Sequence, residues 1–132
     1  MRHIFTIAIL FFISCKAKSN CDTNKGCQFD LKGKIVEEVA LTPGCGVVAW
    51  GTVIVFSIDE LNGMSYENEN IGIIITCPGD YEKNFFVMGK SYKVNFSDKN
   101  QASFEWTIAN KDLLSKNGLS FDPYAIEVTK IP

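Results

Sequence analysis

From Phe29 onward, the apolar residues of this chain recur at every second position, in short runs separated by glycine, proline and asparagine. A period of two marks strands with one face buried and one in water, so the chain reads as all-β apart from one short helix. Phe29, Leu31, Gly33 and Ile35 alternate with Asp30, Lys32 and Lys34, and Val39 and Leu41 return to the same phase. Pro43-Gly44-Cys45-Gly46 breaks the run, and Val47 to Ile58 follows as a nearly continuous apolar stretch, the expected central strand. Gly51 sits in its middle, where a missing side chain predicts a bulge or a bend.

Asp59 to Asn70 is a polar excursion holding Asn62-Gly63 and the acidic segment Glu67-Asn68-Glu69, and it reads as a surface loop. Ile71 to Thr76 is the next buried strand, closed by Cys77-Pro78-Gly79. After a turn at Gly89-Lys90, Tyr92, Val94 and Phe96 should face the core, and Phe104, Trp106 and Ile108 repeat the pattern. Asn110 is placed to cap a short helix that ends at Asn117-Gly118, and Tyr124 to Ile131 supplies a final strand. The count is about six strands and one small helix.

The first residues obey a different rule. Met1-Arg2-His3 precedes Ile4 to Ile13, where Thr6 is the one polar member, and the run stops at Ser14-Cys15-Lys16. About 20 apolar residues are needed to cross a bilayer, so this is the layout of a cleaved signal peptide at 1–14. Phe12-Ile13-Ser14-Cys15 resembles the lipobox of bacterial lipoproteins, and the resemblance implies that Cys15 is diacylated and becomes the mature N-terminus. Ordinary secretory cleavage after Ala17 is the alternative. Residues 15–28 then form a polar tether with a Cys-rich loop, and 29–132 a single domain. By resemblance to the sorting rule of enteric bacteria, the lack of Asp just after Cys15 implies the outer membrane.

Composition narrows the chemistry. Arg2 and His3 are the only arginine and the only histidine, and both lie in the signal segment. The mature chain from Cys15 has 12 Lys against 15 acidic residues, a net charge of −3, with no basic cluster to neutralise phosphates, so nucleic acid is not an expected partner. Without histidine, Ser-His-Asp and Cys-His catalysis and the usual zinc sets are excluded, leaving carboxylate or lysine chemistry. No cofactor is expected.

Cys21, Cys27, Cys45 and Cys77 remain beyond Cys15. An even number in an oxidising compartment reads as two disulfides, and Cys21–Cys27 with Cys45–Cys77 is the preferred of three pairings. Neither spacing is C-x-x-C, which argues against a redox motif or a thiolate metal site, and no metal is expected.

The strand count and the small helix before the last strand suggest a small closed or partly open barrel. Phe86-x-x-Gly89-x-x-Tyr92-x-Val94 resembles the segment by which OB-like envelope and netrin-type domains turn into a strand, which implies an OB-like barrel. An immunoglobulin-like β-sandwich is the runner-up.

Tyr66 and Tyr81 fall in loops beside acidic residues and are candidates, with Glu67 and Glu69, for contacting a ligand; their alternative role is to shield the ends of the barrel. Asp59 with Glu60, or Glu67 with Glu69, could pair as catalytic carboxylates, but solvated charge is the expected role, and no catalytic residue is assigned. The same loop lacks an EF-hand pattern. Trp50 and Trp106 are expected in the core. The resulting expectation is a lipid-anchored envelope binding module whose loops 59–70 and 78–84 contact a protein, glycan or small ligand. A structural accessory of the envelope and a carboxylate-based enzyme are the alternatives.

Overall fold

The computed structural model describes residues 20–132. The signal segment, the lipobox and Cys15 lie outside them. Seven strands form one sheet: β1 (Asn20–Asp22), β2 (Gly26–Ile35), β3 (Trp50–Asn62), β4 (Asn70–Thr76), β5 (Ser91–Ser97), β6 (Thr107–Ala109) and β7 (Tyr124–Lys130), with a 3₁₀ turn at Pro78–Asp80 and helix α1 at Asp112–Lys116. Five of them close on themselves in the order β2-β3-β4-β7-β5 and back to β2. All neighbours run antiparallel except β4 and β7, which meet in parallel at the single pair Ile74 and Tyr124. This is a small OB-like barrel, so the sandwich alternative falls. β1 and β6 extend the sheet as short flanking strands.

The burial pattern explains the sequence pattern. In β2, Phe29, Leu31, Gly33 and Ile35 point inward while Asp30, Lys32 and Lys34 face water. Tyr92, Val94 and Phe96 of β5 are buried as expected and join Ile54, Phe56, Ile71, Ile73 and Ile75 in the barrel interior. The continuous apolar run of β3 has a different cause. Its other face is also covered, because Val53 and Ile74 pack with Leu114 of α1 and with Tyr124, against Trp106, Ile108 and Leu119. A strand buried on both sides loses its alternation.

Several elements depart from the sequence expectation. β2 ends at Ile35, and Val39 and Leu41 belong to a loop, 36–49, in which Leu41 is 97% exposed. Val47 and Val48 lie in that loop too, so β3 starts at Trp50. It also runs on through Asp59 and Glu60 to Asn62, because β2 supplies backbone partners as far as the pair Asp30 and Asn62. The polar loop is therefore 63–69. The bulge is not at Gly51: the register slips between Lys32 and Gly33, where Asp59 is the extra residue between Ile58 and Glu60. Phe104 is half-exposed, and only Thr107–Ala109 of the segment expected around Trp106 pairs as a strand. Asn110 takes a positive φ of 56° and does not cap α1, whose preceding residue is Lys111.

Both disulfides form. Cys21 and Cys27 face each other across the β1–β2 hairpin, and Cys45 joins loop 36–49 to Cys77 at the end of β4. Constraint of the unfolded chain makes the first worth about 2 kcal/mol and the second, which closes a longer loop, about 3–4 kcal/mol. Two disulfides are compatible with an exported protein.

Candidate functional site

The strand order sorts the loops into two groups. Loops 36–49 and 77–90 leave the barrel at the end defined by Ile35, Trp50, Thr76 and Ser91, whereas 63–69 leaves it at the opposite end, as does segment 98–123, which then runs back along the barrel so that β6 pairs with Trp50–Thr52. Asn20 and the β1 hairpin lie at this opposite end, beside Gln28 and Ser97. The ten residues of β2, about 30 Å of strand, run from one end to the other.

At the end away from Asn20, loop 77–90 closes the barrel with aromatic side chains. Tyr81, Phe85 and Phe86 stand 4.8–4.9 Å apart, centroid to centroid, and the last two lie about 6 Å from the buried ring of Tyr92. Tyr92 fixes this loop from inside the barrel, since its hydroxyl donates to the Phe85 carbonyl at 2.6 Å and accepts the Val87 N–H at 2.9 Å. Asn84, just before Phe85, takes a left-handed conformation with φ 59°. Its carbonyl accepts a bond from Lys130 Nζ, which also lies over the Phe85 ring.

Loop 36–49 forms the facing wall. Between the two loops is a cleft of about 310 Å³, lined by Val39, Leu41 and Thr42 on one side and by Pro78, Tyr81, Phe85 and Phe86 on the other, with Glu82 and Lys83 among its polar residues. Its volume and mixed lining are those of a small binding cleft. The Thr42 hydroxyl is buried in this wall and has no hydrogen-bond partner in the protein. Burial raises the Tyr81 phenol above its ordinary pKa, so the ring presents a neutral hydroxyl. The Cys45–Cys77 bridge ties the walls together, the Cys45 N–H donates to Asp80 Oδ1, and Gly79 lets the Pro43-Gly44 backbone approach so closely that a Cβ there would stand 2.9 Å from it.

The structure divides the residues singled out in the sequence. Tyr81 lines the cleft. Tyr66 lies at the other end, where its hydroxyl meets the carbonyls of Asn70 and Asn117 and so fastens loop 63–69 to the end of α1; Asn68 Nδ2 supports the same Asn117 carbonyl. Burial raises its pKa as well, and its contacts are those of a structural tyrosine. Glu67 and Glu69 are exposed beside it, as are Asp59 and Glu60 on β3. Loops 59–70 and 78–84 therefore do not line one surface. Sequence reading missed Val39, Leu41, Phe85 and Phe86 as cleft residues because their alternation and apolar character imitate strand and core positions.

Among the described residues, one group has metal-ligand spacing, namely Cys45, Cys77 and Asp80, and its two sulfurs are already bonded to each other. Comparison with protein-family models, with curated proteins and with solved structures returns no match.

Proposed function

We propose that this chain is a lipid-anchored binding module of the bacterial envelope, tethered through Cys15, that contacts a protein or glycan through the aromatic cleft between loops 36–49 and 77–90. The observation that carries this reading is the position of the cleft. The cleft opens at the end of the barrel away from the turn of the Cys21–Cys27 hairpin, where its aromatic lining is free of the described part of the N-terminal segment. Leu41, Val47 and Met88 add exposed apolar surface at the same end.

Contact suits the chemistry better than catalysis. The cleft offers aromatic faces, a neutral phenol at Tyr81 and one carboxylate, Glu82, beside Lys83, whereas Glu67, Glu69, Asp59 and Glu60 face solvent away from it. The absence of Asp next to Cys15 supports the outer membrane as the address.

A photo-crosslinking side chain at Leu41, used in envelope extracts, should give a discrete adduct that Tyr81→Ser removes. Equal adducts from position 41 and from Asn68, at the other end, would argue against the cleft.

A further inference from the structure

We propose that loop 36–49 is a strap over the cleft, fastened by the Cys45–Cys77 bond and released by a dithiol reductant while the barrel stays folded. Both roots of the loop are tied to the sheet: Val36 donates to the Val55 carbonyl at 3.1 Å, and the Ala49 carbonyl accepts from Thr107 at 2.8 Å. Between them the loop is held by the Cys45–Cys77 bond, by the packing of Pro43-Gly44 on Gly79 and by few polar contacts. Among the described residues, the one hydrogen bond from the backbone of positions 37–48 to the rest of the protein is that of the Cys45 N–H to Asp80. The apolar contacts of the strap are thin as well, since Leu41, Val47 and Val48 are exposed and Val39 is half-buried.

The two sulfurs sit on unequal supports. Cys77 belongs to the barrel, its N–H bonded to the Trp50 carbonyl at 2.8 Å, and its backbone is held in the left-handed region at φ 48°, which a residue with a Cβ adopts only under constraint. Cys45 is flanked by exposed Gly44 and Gly46, and a Cβ placed at Gly46 would meet nothing within 4 Å. Cys45 therefore sits on the more open of the two supports, and its half-buried Sγ is the one we assign as the point of attack.

Release is a balanced thiol–disulfide exchange. One thiolate of the dithiol bonds to Cys45 Sγ, the Cys45–Cys77 bond breaks, and Cys77 Sγ leaves as a thiolate that takes a proton from water. The second thiol of the reductant loses its proton, attacks the mixed disulfide and expels Cys45, so the reductant ends as a disulfide and the protein holds two thiols. The strap carries Val39, Leu41 and Thr42, and its release removes one wall of the cleft. This last consequence rests on the proposed binding role; the release itself does not.

The test is made without a ligand, on purified protein treated with dithiothreitol, with alkylation and mass spectrometry to show which cysteines are free. Backbone order parameters for residues 37–48 should fall from about 0.85 to below about 0.6, while those of β3 and β4 remain near the rigid value. The Cys45→Ser, Cys77→Ser double variant should show the same profile with no reductant present. Loss of barrel signals together with those of the loop, an unfolded double variant, an unchanged loop once Cys45 and Cys77 are free, or a bond that yields only in denaturant would each overturn the proposal. If the loop is released yet crosslinking from Leu41 is the same in oxidised and reduced protein, the strap stands and the cleft reading fails.

Discussion

Gly33 lies so close to Ser57 on the neighbouring strand that a Cβ at position 33 would stand 2.5 Å from the Ser57 carbonyl oxygen and 3.2 Å from the Phe56 Cβ. One of the two slips in register falls at this point, where Asp59 is added to β3; the other lies between β5 and β7 at Asn95 and Phe96. Gly51, by contrast, has its nearest neighbours at 3.5 Å, an ordinary contact distance. Gly33→Ala should therefore cost about 2–3 kcal/mol, in the range of overpacked cores, and Gly51→Ala less than about 1 kcal/mol. Urea denaturation of the two variants checks this, and equal midpoints would contradict the assignment of the bulge to Gly33.

Tyr92 combines a fully buried ring with a hydroxyl that serves loop 77–90 through Phe85 and Val87. Tyr92→Phe keeps the ring and leaves both backbone groups without their partner, at a cost of about 1–2 kcal/mol. The loss should be local. Hydrogen exchange is expected to speed up at Val87 and to stay slow in β4. Uniform acceleration across the barrel would mean that Tyr92 acts through the core instead.

The barrel was legible because its strands obey simple rules: the alternation of Phe29 to Ile35 and of Tyr92 to Phe96 is read directly from half-buried faces, and the glycines at 89 and 118 do take the positive φ that turns require. The errors cluster where tertiary pairing overrides local pattern. Asp59 and Glu60 look like loop residues, yet they stay in β3 because β2 lies beside them. Val47 looks like a strand residue, yet the Cys45–Cys77 bridge keeps its segment in the strap. The cleft was half legible. Tyr81 could be picked out by its polar neighbours, but its partners Phe85 and Phe86 carry no signal that separates a ring at a barrel end from one inside it, and no local pattern shows that Tyr66 lies at the other end.

Alkaline pH should unfold this protein through its tyrosines. Burial raises the pKa of Tyr66, Tyr81, Tyr92 and Tyr124 above that of an exposed phenol, which lies near 10. A raised acid pKa means that the folded state favours the neutral form, so the unfolded chain loses its protons first. The stabilisation is complete below about pH 10 and is lost as pH rises through the folded values. Denaturation midpoints measured from about pH 8 to 12 should fall above about pH 10 as the absorbance of ionised tyrosine rises. A midpoint that holds level while the absorbance rises would show that the ionising rings are not the buried ones.

The lipid attachment proposed above depends on one side chain, that of Cys15. A fatty-acid analogue supplied to cells should label the wild-type protein and not Cys15→Ser, and the variant should leave the membrane fraction. Equal labelling of the two would remove Cys15 as the anchor.

Thr52 is the second described residue whose side-chain oxygen is buried without a partner, and its surroundings differ from those of Thr42. Its neighbours in register are Ile75 on β4 and Ala109 on β6, and the residue is fully buried. An unpaired hydroxyl there carries a desolvation cost of roughly 1–3 kcal/mol that an isosteric methyl group does not. Thr52→Val should therefore raise stability by about 1 kcal/mol, a shift of roughly 4 °C in Tm for a domain of this size. The sign distinguishes two situations. If a buried water bonds the hydroxyl, removing that partner leaves the water short of a bond, and the variant should lose stability instead. Thermal unfolding of Thr52→Val thus reports whether the interior of the barrel is dry beside β3, and a lowered Tm would refute the unpaired state.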